Sequence, residues 1–359
     1  MNQAPTYVEA SYRLFDSELS VLWCFGSNDG SVKEMNHSLL KEVKIFPTKR
    51  LWGNAYYLKG ALSLAFRKDI DSYVLIGEPG LLTTWFLPRM IKLLYPSRKV
   101  FFWSHAWYGR ESRLKAFIKK RYFKVADGVL TYGNYARDLM IKEGFKGEKI
   151  HTIHNSLNHE AHLKLRNELV SGTIYKDHFG NNNPTLIMIG RITMRKHLEL
   201  LLEAVAKLKE SNSNYNVVLV GDGEGRSKLE QLSRNLGIED RVWFYGACYD
   251  EKQNAELLYN ADLCVVPGDI GLTGIHSLSF GVPTITHDRF IYQGPEFEAI
   301  IPNITGDFFK YKDIDSLVEK IVGWFQMHPN RETVRQACYK EIDDNWTPEF
   351  ELNVLKQVL

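Results

Sequence analysis

The sequence predicts an α/β protein built from two doubly wound parallel-sheet domains. Short apolar strands alternate with helix-patterned segments along the chain, which is the pattern of parallel βαβ units. The alternation breaks once, in the Gly- and Asn-rich stretch SGTIYKDHFGNNNP at 171–184. The length of 359 residues also exceeds a single core of ~100–200 residues.

The first-half strands are expected at 19–26 (LSVLWCFG), 72–77 (SYVLIG), 99–105 (KVFFWSH), 128–133 (GVLTYG) and 149–155 (KIHTIHN). Helices are expected between them, for example at 57–68 and 137–145. The second half repeats the plan at 184–191, 215–221, 242–246, 263–268 and 283–287. The stretch 171–184 reads as the linker. The expected division is therefore 1–170, 171–345, and a closing helix over 346–359 that packs back towards the first domain. Such sheets bind ligands at the carboxyl ends of their strands, so the expected site is a cleft between the domains.

Apolar content of 44% and charged content of 25% are those of an ordinary soluble globular protein. A net charge of +2 gives no bulk attraction to nucleic acid or membrane, so any such attraction must come from a local patch. The opening MNQAPTYVEASYRLFD lacks a basic segment followed by an apolar one, and no apolar run reaches the ~18 residues of a spanning helix. A cytoplasmic location is expected. Cys24, Cys248, Cys264 and Cys338 are scattered, mostly within apolar runs, which argues for reduced thiols rather than a zinc site or disulfides.

Three stretches carry candidate chemistry. In VGDGEGRSKLEQL, Gly221, Asp222 and Gly223 turn a strand into a helix, where backbone amides can approach a phosphate or sugar; a plain turn fits the same residues. Arg226 stands where a dinucleotide fingerprint has its third glycine. In IGRITMRKHLELLLEA, Gly190 ends a strand, and Arg191 and Lys196 flank the start of a helix. Two cations there can trap a diphosphate; a solvated basic loop is the alternative. In PGDIGLTGIHSLSFGVP, the backbone of Gly271, Leu272 and Thr273 can face an anion ahead of a short helix. Ile275, Leu278 and Phe280 of that helix are expected to pack inward, and Gly281 and Pro283 to be structural.

The run 190–306 resembles the donor-binding domain of retaining GT-B glycosyltransferases, specifically glycosyltransferase family 4. The matching pieces are GRITMRK (190–196), VGDGEGRSKLEQLSRNLGIEDRVWFYG (220–246), NAELLYNADLCVVP (254–267), FGVP (280–283) and TGDFF (305–309). The first half is similar through WSHAWYGRE (103–111) and ADGVLTYGNYARDLMIKEGFKGEKIHTIHNSLN (126–158), a region that in the family carries the acceptor site. The resemblance implies two Rossmann-like domains in a GT-B fold, donor diphosphate held by Arg191 and Lys196, and transfer without metal or other cofactor. It also implies that His105 touches the donor sugar, with capping or packing as the alternative, and that Glu298 lies near the donor. Glu296 and Glu298 are expected to face the same side of a strand-like segment.

The sequence departs from the family at one place. Two glutamates with seven residues between them are usual; their positions fall on Gly268, with Asp269 next to it, and on His276. His276 can hydrogen-bond a ribose or be a satisfied structural histidine. Asp269 covers the sugar contact if the loop shifts by one residue. Of two Asp-Ile-Asp triplets, 313–315 reads as a helix N-cap and neither as a metal site.

Residues 89–124 hold eleven Lys or Arg against the single acid Glu111. In SRLKAFIKKRYFKV (112–125), Leu114, Phe117, Ile118, Tyr122 and Val125 recur at helical spacing, as in a helix packed on its domain with a basic outer surface. Such a surface fits anionic lipid head groups or a diphosphate-linked acceptor, or is simply solvated. No base-stacking or groove-reading motif accompanies it, so nucleic acid is not expected.

The expected activity is metal-independent transfer of a sugar, with retention, from a nucleotide-diphosphate sugar to a saccharide acceptor, lipid-linked or free. The expected setting is bacterial surface-polysaccharide synthesis (lipopolysaccharide or capsule), at the inner face of the membrane or in the cytoplasm. A non-catalytic nucleotide-sugar-binding protein, or an epimerase or phosphorylase on the same plan, is the alternative.

Overall fold

The computed structural model describes residues 4–27 and 33–359; the first three residues of the opening stretch lie outside them. The chain divides into two compact units, 1–158 with 347–359, and 159–346.

In the first unit, helix α1 (Glu9–Glu18) leads into strand β1 (Trp23–Gly26), which pairs in parallel with β2 (Val43–Phe46). Strands β3 (Thr48–Arg50) and β4 (Tyr56–Leu58) form an antiparallel hairpin. Parallel strands β5 (Ser72–Ile76), β6 (Lys99–Ser104), β7 (Gly128–Thr131) and β8 (Ile150–Thr152) follow in sheet order 5-6-7-8. They alternate with helices α2 (Thr83–Leu94), α3 (Arg113–Phe123) and α4 (Asn134–Lys142). Residues 57–68, expected to be helical, are split instead. Tyr56–Leu58 is a strand and Ala61–Phe66 a 3-10 helix, divided at Gly60, whose φ of 88° ends any continuous helix.

The basic helix α3 corrects a second expectation. Tyr122 and Phe123 are buried, but Leu114, Phe117 and Ile118 are 69%, 54% and 40% exposed. The last turn and Ala116 pack on the domain's core, and Leu114, Phe117 and Ile118 look outward.

The second unit opens with α5 (His159–Arg166) and α6 (Ile174–Phe179). The stretch expected to be a linker is therefore part of this unit. Tyr175 is buried with its hydroxyl donating to the Leu257 carbonyl, and the Gly172 amide donates to Asn260 Oδ1 at 2.7 Å. Six parallel strands follow: β9 (Thr185–Ile189), β10 (Asn216–Val220), β11 (Val242–Gly246), β12 (Leu263–Val265), β13 (Thr284–His287) and β14 (Gly306–Phe309). Between and after them come α7 (Leu198–Glu210), α8 (Arg226–Asn235), α9 (Glu251–Asn260), α10 (Thr273–Ser279), α11 (Ile314–Met327) and α12 (Arg331–Asn345). Asp313 caps α11 by accepting from the Ser316 amide at 3.0 Å.

The sheet order is β11-β10-β9-β12-β13-β14. Renumbered within the unit this is 3-2-1-4-5-6, the Rossmann order, and the direction of winding reverses between β9 and β12. Every residue of β9 and β10 is buried, as expected for strands covered on both faces.

The chain returns to the first unit as α13 (Pro348–Val358), N-capped by Thr347 with Pro348 in the first turn. Leu352, Leu355 and Val358 join Tyr12, Phe15, Trp23 and Phe25 in one core cluster. Lys356 pairs with Glu18 of α1 at 2.8 Å. No helix among the described residues is long and apolar enough to cross a membrane.

Candidate functional site

The β9/β12 switch point is where an open α/β sheet leaves a crevice beyond its strand ends. Two of the three loops that the sequence singled out for ligand contact lie there. The first follows β9 and runs through Gly190, Arg191 and Lys196 to α7; the second follows β12 and leads through Gly268, Asp269, Gly271 and Leu272 to Thr273 at the start of α10.

These loops interlock by their backbones. The amides of Gly268 and Asp269 donate to the carbonyls of Lys196 (2.8 Å) and Arg195 (3.0 Å). A Cβ on Gly268 would fall 2.1 Å from the Arg195 carbonyl oxygen. The loop after β10 joins in the same way, with the Ile192 amide donating to Asp222 O at 2.9 Å and the Gly225 amide to Ile192 O at 3.1 Å. A Cβ on Gly221 would sit 1.9 Å from the Gly190 carbonyl oxygen, and one on Gly223 2.3 Å from that of Ile192. These glycines are required by loop-to-loop contact, which supplies the structural half of the sequence reading.

Lys196 is the centre of the site. Its Nζ lies 3.3, 3.2 and 3.2 Å from Asp269 O, Ile270 O and Thr273 Oγ1. Burial holds its ammonium below the usual lysine pKa, opposed in part by the Asp269 carboxylate. Arg191 is exposed on the same loop. Asp269 is committed on both oxygens, Oδ1 accepting from the Gly294 amide at 2.9 Å and Oδ2 from Arg195. Asp222 is exposed and turns back onto the Gly223 amide at 2.7 Å.

The acidic pair at 296 and 298 is arranged differently from expectation. Residues Pro295–Ala299 form a 3-10 helix, so alternate residues do not share a face as they would on a strand. Glu296 is buried, and a Cβ built on Gly294 would lie 2.6 Å from its Oε2 and 3.4 Å from Asp269 Oδ1. Glu296 thus lies next to the Asp269 loop. Glu298 is half-buried. Gln293, which the sequence did not single out, braces this loop: its Oε1 accepts from the Ile270 amide at 2.9 Å and its Nε2 donates to Thr286 Oγ1 at 2.8 Å.

His276 lies in α10, and its ring is occupied. Its Nε2 is 2.7 Å from Glu251 Oε1, the same oxygen that lies 3.0 Å from His162 Nε2. Burial pushes His162 below the ordinary histidine pKa, with Glu251 acting against it. Burial alone would raise Glu251, but hydrogen bonds from both histidines outweigh it and hold the carboxyl well below its usual range. Neither partner of His276 was legible as such, because Glu251 is 25 residues away in sequence and His162 sits on another helix.

His105 belongs to the first unit. It is exposed at the end of β6, 4.6 Å from Tyr132 and 6.1 Å from Tyr108 between ring centroids. All the other candidate residues belong to the second unit.

Comparison with known structures gives the fold first. Anabaena HepE in complex with UDP superposes with a TM-score of 0.72 over 99% of this chain and 98% of its own, at 16% identity. The lipopolysaccharide outer core galactosyltransferase WaaB superposes with a TM-score of 0.71 over 100% and 98%, at 15% identity. The chain has the GT-B glycosyltransferase fold of two Rossmann-like domains. Residues 174–341 match the family described as "Glycosyl transferases group 1".

Curated relatives agree. A GDP-mannose-dependent alpha-(1-6)-phosphatidylinositol dimannoside mannosyltransferase of Mycobacterium tuberculosis is 32% identical over 108 residues, which are 28% of this chain and 27% of that protein. The alpha-monoglucosyldiacylglycerol synthase of Streptococcus pneumoniae is 26% identical over 183 residues, 50% of this chain and 41% of the relative. The matched stretches thus span less than half the length of these relatives.

Proposed function

We propose that the protein is a retaining glycosyltransferase that moves a sugar from a nucleotide-diphosphate donor to a saccharide or lipid-linked saccharide acceptor. The observation that carries this reading is Lys196, wedged at the strand-order reversal between two interlocked loops, with exposed Arg191 on the same loop. A diphosphate placed there would meet two cations and the first amides of α10.

In the reaction, the bond from the sugar's anomeric carbon to the donor diphosphate breaks, and an acceptor hydroxyl oxygen bonds to that carbon. The hydroxyl proton leaves with the departing diphosphate, whose growing negative charge Lys196 and Arg191 offset. Electrostatic stabilisation of this kind contributes a factor of about 10²–10³ per donor group. Retention requires attack from the face that the diphosphate leaves, and no step here calls on a metal ion. The named activities of the mannosyltransferase and galactosyltransferase relatives support the class, and UDP bound to HepE supports a nucleotide donor. Bacterial surface-polysaccharide synthesis fits the galactosyltransferase relative.

The outward apolar face of α3 supports an acceptor held at an anionic membrane surface. Leu114, Phe117 and Ile118 project among Arg113, Lys115 and Arg121, the composition of a helix that lies in a lipid interface.

Thermal unfolding with UDP, GDP, ADP and their sugars tests the core of the reading. One nucleotide should raise the midpoint of the wild type and not that of R191A/K196A, since a ligand stabilises only the state that binds it. Release of free sugar from that donor should accompany it. Stabilisation without any transfer or hydrolysis would favour a non-catalytic nucleotide-sugar-binding protein, which the histidine and glycine at 276 and 268 also support. No shift with any nucleotide would sink both readings.

A further inference from the structure

Two imidazoles and a carboxylate from three helices of the second unit meet at one point. His162 projects from α5, Glu251 is the first residue of α9, and His276 lies in α10. Their nearest ligand atoms, one from each, all lie within 4.8 Å of one another. We propose that His162 Nε2, His276 Nε2 and Glu251 Oε1 form a three-ligand site for a borderline divalent metal ion, zinc by preference.

The geometry is close to what that ion needs. Zinc binds imidazole nitrogen at about 2.0–2.1 Å and carboxylate oxygen at about 2.0–2.2 Å, so donors in a tetrahedral shell lie about 3.3 Å apart. The two nitrogen-to-oxygen separations are 2.7 and 3.0 Å. Admitting an ion requires these two to open by a few tenths of an ångström and the two ring nitrogens, which lie within 4.8 Å of each other, to settle at the tetrahedral spacing. Glu251 has a side chain 41% exposed, whereas His162 and His276 are held at 4% and 15%. Phe280 packs against both rings, tilted to one and edge-on to the other, at centroid distances of 4.9 and 5.6 Å, and the imidazoles stand 22° from parallel. Two imidazole nitrogens and one carboxylate oxygen, with a fourth position left for water, is a common zinc arrangement.

The charge count points the same way. Without an ion, a single carboxylate oxygen serves two ring nitrogens. With one, both imidazoles turn lone pairs inward and the carboxylate offsets one of the two metal charges. Imidazole donors also select against magnesium and calcium, which take oxygen ligands.

The bound ion would tie α5 and α9 to α10, the helix whose first residue, Thr273, touches Lys196. Its role is to fix that helix, and the sugar-transfer reading neither requires it nor depends on it.

The test uses the full chain, stripped by a chelator and dialysed. Titration with zinc chloride, followed by calorimetry and elemental analysis, should show one bound equivalent and a higher unfolding midpoint; magnesium chloride should show neither. The H162Q/E251Q variant should lose both effects, while C248S, which removes a partly exposed thiol, should retain them. Cobalt(II) supplies a reading that does not depend on a folded variant: the wild type should give tetrahedral d–d bands without thiolate charge-transfer absorption. Absence of zinc binding by the wild type, its survival in H162Q/E251Q, or a thiolate signature would overturn the proposal.

Discussion

Lys196 Nζ lies 3.2 Å from Thr273 Oγ1, and that hydroxyl donates in turn to the carbonyl of Ile189, the last residue of β9, at 2.8 Å. One buried threonine thus ties the end of the central strand, the basic loop and the first residue of α10 together. T273V should leave the Ile189 carbonyl short of a donor and release Lys196, at a stability cost of about 1–3 kcal/mol. Urea unfolding measures the cost. Nucleotide affinity should weaken with it, and a variant that lost stability but bound nucleotide unchanged would separate Thr273 from the site.

The same lysine gives nucleotide binding a pH dependence. Burial lowers its pKa, so its ammonium is lost at lower pH than that of a free lysine. Because the diphosphate needs the cation, affinity should be full at neutral pH and fall as pH rises through that lowered pKa. K196R should remove this alkaline decline, since guanidinium stays charged. Calorimetric titration of the stabilising nucleotide from pH 7 to 10 checks it; identical pH profiles for the two proteins would exclude Lys196 as the titrating contact.

Loop interlock makes a different prediction. G221A places a methyl where only 1.9 Å separates it from the Gly190 carbonyl oxygen, which is backbone and cannot rotate aside. The loops after β9 and β10 must part, with an expected cost of about 2–4 kcal/mol. Substitution at Gly180, where a Cβ meets nothing within 4 Å, should cost less, chiefly for its φ of 67°. Comparing the two midpoints in urea separates backbone collision from backbone strain.

What the sequence showed and what it hid follow from the range of the interactions. The apolar strands of both sheets were legible because burial on both faces leaves continuous runs such as TLIMI and NVVLV. The loops of Lys196 and Gly221 were legible because glycine and charge at a strand end have local causes. Long-range contacts were not. Nothing near Glu251 announces two histidines, and nothing near Glu296 shows that its segment coils into a 3-10 turn and buries it. Helix α3 misled for a related reason: a stripe at helical spacing shows an amphipathic helix but not whether the apolar stripe faces the protein.

That outward stripe can be tested directly. Leu114 and Phe117 are exposed, so L114S/F117S should change stability by no more than about 0.5 kcal/mol. If the helix enters a lipid interface, each lost side chain removes about 1.5–3 kcal/mol of burial, so binding to anionic vesicles should fall at least about tenfold. Co-sedimentation with phosphatidylglycerol vesicles measures it. Equal sedimentation of variant and wild type would leave the basic residues alone responsible, and no sedimentation of the wild type would remove the membrane from the proposal.

Glu351 of α13 carries the last prediction. It is buried in the first unit; burial pushes its carboxyl up to about 8, against the hydrogen bonds of Ser11 and Ser156. Those two hydroxyls lie 2.7 Å apart, and among the described residues Glu351 Oε2 has no partner. A carboxyl raised in the folded state favours folding most while it is protonated in both states, below about 4.5. As pH climbs from there to about 8 the unfolded chain has released the proton and the folded chain still holds it, so stability declines, then levels. The slope is about 1.4 kcal/mol per pH unit over that window for this one group. E351Q keeps the shape and cannot ionise. It should unfold at nearly the wild-type temperature at pH 5 and at a higher one at pH 8.5. A difference between the two proteins that stayed constant across pH would mean that Glu351 is already ionised at pH 5, with water or a cation at its side.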